Sequence, residues 1–247
     1  PTDYTGPDDY GYYAYSSDDS FYDQTPVYDW YEIVETGTEI ELPQISDYTV
    51  TVDLPFDFKY YGIEHNKLRI STDGWIAFGS GMETAPENTG LPNNDSINNM
   101  VAVFWDDLFD TEFFFGRILY YHDEANHRFI VEWDSIAHNN VLSEPQREVF
   151  QAILLNPVHY PTKTGDGEII IQYKIASSTS SVTVGIENDT QDIGIQYVYN
   201  ADYDATATHI NKNMAIKFTT NPPFETDILF GDSDCNGIIN VLDAVVT

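Results

Sequence analysis

Basic residues are scarce in this chain. Ten lysines and arginines stand against 41 aspartates and glutamates in 247 residues, a formal charge of −31. A surface of that sign repels phosphate backbones and anionic lipid, so nucleic acid and anionic membranes are poor partners. Cysteine is nearly absent: with Cys235 alone, no intramolecular disulfide can form, and the core has to hold the fold. No stretch approaches the roughly 18 apolar residues of a membrane span, so no membrane insertion is expected. Long runs at helical spacing are missing as well.

Catalytic signatures are missing too. There is no His-Glu-x-x-His, Gly-x-Ser-x-Gly or nucleotide-binding glycine motif. The six histidines, His65, His122, His127, His138, His159 and His209, show no metal-ligand spacing on a shared element and read mostly as surface or loop residues. Carboxylate pairs carry no diagnostic value among so many acids. Cys235 lies among carboxylates that disfavour a thiolate, which argues against a nucleophile. The expectation is a protein that is not an enzyme.

What is present is core material. Apolar residues make up 42% and aromatics 15%, far more than a disordered chain carries. The acid therefore points to a saline habitat or to divalent cations held by carboxylates. At this length a chain buries roughly 70–75% of its unfolded surface. From Trp30 to Phe218 the apolar period is 2. Leu54, Phe56, Phe58 and Tyr60 alternate with polar residues or proline, as do Leu68 and Ile70, Phe129 to Trp133, Ile169 to Tyr173, Val182 to Ile186, Ile195 to Tyr199 and Met214 to Phe218. Turn residues separate these runs at Asp73-Gly74, Asp123 to Asn126, Gly165 to Gly167 and Asn188 to Asp192. About ten short strands without a long helix predict an all-β fold, a two-sheet antiparallel β-sandwich of jelly-roll-like type over residues 30–220. Trp30, Trp75, Trp105 and Trp133 sit in strand-like runs and are assigned to the core.

The flanks differ in composition. Residues 1–29 hold Tyr4, Tyr10, Tyr12, Tyr13, Tyr15, Tyr22 and Tyr28 among aspartates and glycines. Rings of that size prefer burial, so the segment reads as an extended arm lying on a surface, its own or a neighbour's. Exposed tyrosines over residues 10–31 are the better candidates for a carbohydrate or partner surface. Residues 80–99 read as a long loop of the kind that carries binding sites. Asn221-Pro222-Pro223 marks the exit from the sandwich, with a linker over 221–230. The start at Pro1 and the stop at Val245-Val246-Thr247 lead to the expectation of a piece of a longer polypeptide that has lost its leader.

One motif is specific. In residues 231–243, GDSDCNGIINVLD, Asp232, Asp234 and Asn236 fall at positions 1, 3 and 5 of a calcium loop. Gly237 falls at the sharp turn of position 6, the Ile238 carbonyl at 7, Asn240 at 9 and Asp243 at 12. Oxygen ligands in that order wrap a hard cation, so Ca2+ is the expected cofactor. Asp106 and Asp107 are a second candidate, directly after the apolar run Val101 to Trp105. Adjacent carboxylates at a core edge repel each other unless a cation, an arginine or backbone amides compensate. A second calcium site completed by Asp8 and Asp9 and a turn in which the aspartates accept backbone N–H bonds are both open readings.

The Asp at position 12 and the following Val241-Leu242-Asp243-Ala244-Val245-Val246 resemble half of a dockerin, making 231–247 a dockerin-like segment. A dockerin carries two such segments. The stretches GPDDYGYYAY (6–15), PVYDWYEI (26–33), LPFDFKYYGIEHNKLRISTDGWIAFGS (54–80), VAVFWDDL (101–108), YYHDEANHRFIVEWDSI (120–136), TVGIEN (183–188) and NMAIKF (213–218) resemble a β-sandwich accessory module of large secreted bacterial proteins. Such modules often stand beside gingipain-type or subtilisin-type peptidase domains. The resemblance implies an extracellular, non-catalytic adhesion or accessory module. Its partners would be neighbouring domains of the same polypeptide, other copies of itself, or a cell-surface or carbohydrate ligand. Two alternatives stay open: a self-assembling subunit of a fibre or surface layer joined through the arm and calcium, and a carbohydrate-binding module.

Overall fold

The period-2 runs become strands in a computed structural model that describes residues 3–43, 47–94, 96–108, 116–138 and 147–224. In chain order they begin with β1 (Tyr13–Ser16), β2 (Thr38–Glu39), β3 (Thr49–Tyr60), β4 (Ile63–Ser71) and β5 (Trp75–Phe78). Next come β6 (Met100–Trp105), β7 (Arg117–Asp123), β8 (Arg128–Ala137), β9 (Arg147–Leu155) and β10 (Ile169–Ile175). The last are β11 (Thr183–Glu187), β12 (Gly194–Tyr199), β13 (Asp202–Tyr203) and β14 (Met214–Thr219). They form two antiparallel seven-stranded sheets, ordered β1-β14-β10-β9-β8-β7-β2 and β13-β12-β11-β6-β5-β4-β3. No helix forms among the described residues, and so none there is long and apolar enough to cross a membrane.

The sandwich expected from the sequence is present, but its connectivity is meandering rather than jelly-roll-like. Strands β3 to β6 follow one another across one sheet, and β7 to β10 across the other. At the tightest connections the reason is turn length. Short turns such as 72–74 and 124–127 leave a strand no option but to pair with its immediate predecessor.

Between the sheets lies the main core, with Phe58, Phe78, Phe104, Trp133, Phe150 and Tyr173 fully buried. Trp133 stacks on Phe150 at 5.0 Å and donates its indole N–H to the Ser71 carbonyl at 2.9 Å. The Tyr173 hydroxyl donates to the Val103 carbonyl at 2.8 Å. These bonds stitch the sheets together while satisfying the polar tips of buried rings.

Both outer faces are covered too, which alternation alone does not announce. On the second sheet, residues 80–94 and 96–99 fold down over β5 and β6, burying Leu91 and Ile97 against Trp75, Met100 and Trp105. The indole N–H groups of Trp75 and Trp105 both donate to the Ala85 carbonyl, at 3.3 and 2.7 Å. That stretch is thus a cover layer. Across the first sheet runs a strap over residues 27–33, with Ile33 buried on Leu119, Ile130, Ile153 and Leu155. A polar ladder in register, Gln172, Gln151 and Glu132, holds it. The Gln172 side chain brackets Asp29, accepting from its N–H at 2.7 Å and donating to its carbonyl at 2.9 Å. Gln151 donates to the Tyr31 carbonyl and to Glu132, both at 3.2 Å. Burial, with the charge of Glu32 next, pushes the Glu132 carboxyl up to about 8.

The Tyr-rich segment does more than lie on the surface. Tyr13–Ser16 is a strand of the first sheet beside β14, and Tyr12 and Tyr15 are fully buried. Tyr4, Tyr13, Tyr15 and Tyr22 pack edge to face, tilted or stacked at 5.2–6.1 Å, and none of the tyrosines between 4 and 31 stands fully exposed. The expectation of free tyrosines on this arm is corrected accordingly. Trp75, Trp105 and Trp133 are buried as expected. Trp30 is not: it lies half-buried outside any strand, with the Lys174 ammonium 5.2 Å from its ring centroid.

Gln172→Ala removes both side-chain bonds to the strap backbone at Asp29. The expected cost, confined to docking of the strap, is about 1–3 kcal/mol, with amide exchange at Asp29 at least about tenfold faster while exchange in β8 and β9 is unchanged. Unchanged exchange at Asp29 would show that apolar packing of Ile33 holds the strap by itself.

Candidate functional site

Three chain segments meet at one end of the second sheet. The β4–β5 turn, Thr72-Asp73-Gly74, is pinned to β6 because the Gly74 carbonyl accepts from the Val103 and Phe104 N–H groups at 3.1 and 2.9 Å. Gly74 has a φ of +74°, and a Cβ there would lie 2.2 Å from the Phe104 oxygen, so the turn requires glycine. Thr72 ties the turn to the chain entering β3: its N–H donates to the Tyr48 carbonyl at 2.9 Å, and its hydroxyl accepts from the Tyr48 N–H at 3.0 Å. Past the end of β6, the Asp106 N–H donates to the Asp73 carbonyl at 3.3 Å.

This convergence brings Asp47, Asp73 and Asp107 together, one carboxylate oxygen of each lying within 4.8 Å of the other two. No other group of three or more His, Cys, Asp or Glu reaches that spacing among the described residues. Asp73 has no solvent exposure. Its Oδ2 accepts from the Ser71 hydroxyl at 3.1 Å, whereas its buried Oδ1 has no hydrogen-bond partner. Burial, followed by the charge of Asp47 and then those of Asp107 and Asp106, pushes the Asp73 carboxyl up to about 8.

Asp106 faces another way. Its Oδ2 contacts His138 Nδ1 at 2.7 Å and accepts from the Ser181 hydroxyl at 2.6 Å. The other ring nitrogen of His138, Nε2, lies 3.2 Å from Glu148 Oε1. Glu148 also accepts from the Ser177 N–H at 2.8 Å and from the Ser177 hydroxyl. Serine, histidine and carboxylate are therefore close together, but not as a nucleophile and its base. Both ring nitrogens face carboxylates and both hydroxyls donate to carboxylates, so neither serine has a base to activate it. The group is a buried ion triplet that fastens β9 and the 176–182 crossover to the end of β6.

The two neighbouring aspartates read together from the sequence are thus split between two sites. Asp8 joins neither: its Oδ1 accepts from the N–H groups of Tyr10, Gly11 and Tyr12, and its Oδ2 from the Tyr61 hydroxyl at 2.6 Å. Asp9 is exposed. The calcium-loop residues Asp232, Asp234, Asn236, Ile238, Asn240 and Asp243 lie outside the described residues.

Sequence reasoning missed three participants. Asp73 was read only as turn chemistry, and Asp47 carried no signal beyond its charge. His138 was grouped with surface histidines, yet its side chain is 12% exposed. Its position directly after the run Ile136-Ala137 is the one local sign that it closes a core strand.

His138 provides a pH test. Burial alone would push its pKa down, but hydrogen bonds to Asp106 and Glu148, together with their charges, outweigh burial and hold it at about 9. The folded value is thus above the unfolded value of about 6.5. The triplet's contribution is fully present below about pH 6.5 and is lost as pH rises through about 9, on the order of 3 kcal/mol. Glu132, neutral when buried, changes stability in the same direction, so the comparison must be with His138→Gln. Urea midpoints at pH 6 and pH 9.5 should differ by less in the variant than in the parent. An equal difference would mean that His138 is neutral in the fold.

No curated protein and no solved structure matches the chain. The sequence model of the family described as NIDO related does match, over residues 21–227, a span from the strap past the final strand β14. The chain belongs to the NIDO-related family.

Proposed function

We propose that this chain is a non-catalytic, extracellular attachment module of a larger secreted protein, with calcium bound in the 232–243 loop. The family match over most of the chain carries the reading, since nidogen-like domains are extracellular modules. The arrangement around His138 supports the non-catalytic part, because every hydroxyl and ring nitrogen there is committed to a carboxylate. The acidic surface suits a calcium-containing medium, where divalent cations offset part of the −31 charge.

The rival reading, a subunit that polymerises by strand addition, draws on the Tyr-rich arm as the joint. Here β1 pairs with its own β14, which favours attachment over assembly. The ligand class of the attachment reading is a cell-surface polysaccharide or glycoprotein.

Loops of this type in extracellular modules bind calcium at roughly 10⁻⁴–10⁻³ M. At tenfold excess over the dissociation constant, one site contributes about 1.4 kcal/mol, equivalent to roughly 3–6 °C in Tm for a chain of this size. Chelation is expected to lower Tm by that amount, and Asp232→Ala with Asp234→Ala to remove much of the calcium response. Retention of the full chain on immobilised cell-envelope polysaccharide, measured in millimolar calcium and in chelator, tests attachment. Failure to bind any envelope or matrix preparation in calcium would contradict it.

A further inference from the structure

We propose that Asp47, Asp73 and Asp107 form a second calcium site, independent of the 232–243 loop, that locks the entry to β3 and the exit of β6 onto the β4–β5 turn. The inference rests on more than acidity. Asp73 is fully buried, and its Oδ1 has no donor. A buried carboxylate oxygen without a donor loses its hydration for no return, so native folds pair such atoms with an N–H, a hydroxyl, a guanidinium or a metal. Among the described residues no guanidinium or ammonium forms an ion pair with Asp73 or Asp47, and the charges acting on Asp73 are those of Asp47, Asp107 and Asp106. Repulsion of that kind would push the three segments apart, yet backbone bonds from Gly74, Thr72 and Asp73 hold them together. A cation between the carboxylates reconciles close approach with burial.

The donor set indicates which cation. All three candidate ligands are carboxylate oxygens, a hard set without His or Cys, which disfavours zinc. Oxygens within 4.8 Å of one another fit the roughly 2.3–2.6 Å bonds of calcium, which also accepts irregular geometry. Magnesium needs a tighter octahedron. The Ser71 hydroxyl, which donates to Asp73 Oδ2, fixes the rotamer of the central ligand from beside it, and the Trp133 indole fixes Ser71 through its carbonyl. Because Trp133 belongs to the opposite sheet, an ion here would brace the sandwich at the end where three segments of one sheet meet a core side chain of the other.

The test uses the full chain carrying Asp232→Ala and Asp234→Ala, so that the loop is silent. Calorimetric titration with calcium should still find one equivalent, with Tm rising on calcium addition. Adding Asp73→Asn or Asp107→Asn should remove that equivalent, or weaken it by about tenfold or more, and abolish the rise. Asparagine keeps the shape and, like the calcium-free Asp73 carboxyl below about pH 8, is neutral, so the calcium-free Asp73→Asn protein should melt no lower than its parent. Should Asp73→Asn misfold by circular dichroism, the half-buried Asp107→Asn carries the test alone. Undiminished calcium binding in the folded aspartate variants, or no calcium response in the loop-silenced parent, overturns the proposal. Because the loop is already disabled, neither outcome depends on whether the module attaches to anything.

Discussion

Keeping carboxylates inside a protein with very few cations is the constraint on which this structure depends. Ten basic side chains cannot neutralise 41 acids, and the acids are not confined to the surface. Asp8, partly buried, is held by three backbone N–H groups and a tyrosine hydroxyl. Asp166, fully buried, accepts from the Gly62 N–H at 2.7 Å, from the Tyr10 hydroxyl at 2.9 Å and from the Thr164 hydroxyl at 2.5 Å. Asp123 takes Arg128 at 2.8 Å along with Asn126. Asp106 and Glu148 share one histidine. Backbone amides and hydroxyls thus replace the missing ammonium and guanidinium groups, since hydrogen bonding to an ionised carboxylate offsets much of the cost of burying it.

This solution explains where the tyrosines are placed. Tyr10 and Tyr61 each combine an apolar ring, packed at a tilt in the cluster at the start of the chain, with a hydroxyl aimed at a carboxylate. Rings supply core area and their tips supply donors. The N-terminal segment is therefore integral to the sandwich: it provides β1, the strap over the first sheet and the donors for Asp166 and Asp8. With the strap on one outer face and residues 80–94 and 96–99 on the other, much of each sheet is covered on both sides. Surface for recognition is left mainly at the ends and edges of the sandwich, where turns and short strands lie.

Much of the sandwich was legible in the sequence because alternation reports which residues face a core. Phe58, Leu68, Ile70, Phe129, Trp133 and Ile216 all point where their period places them. Alternation is silent about a second, outer cover, so Ile130 and Ile153 gave no hint of the strap above them. Strand β1 has only four residues, too few for a period to stand out among so many tyrosines. The carboxylate cluster was half legible. Asp107 was singled out for following an apolar run, but its companions come from positions 47 and 73, and only the register of β3, β4, β5 and β6 brings them together. Long-range register is what a local reading of a sequence does not contain.

The most direct test of the account is a crystal structure of the full chain grown in millimolar calcium, with anomalous data collected at long wavelength. The account predicts a calcium peak between Asp47, Asp73 and Asp107, with Asp73 Oδ1 as a ligand. A map with no peak there, and with Asp73 Oδ1 bonded to water or to a protein donor, would contradict it.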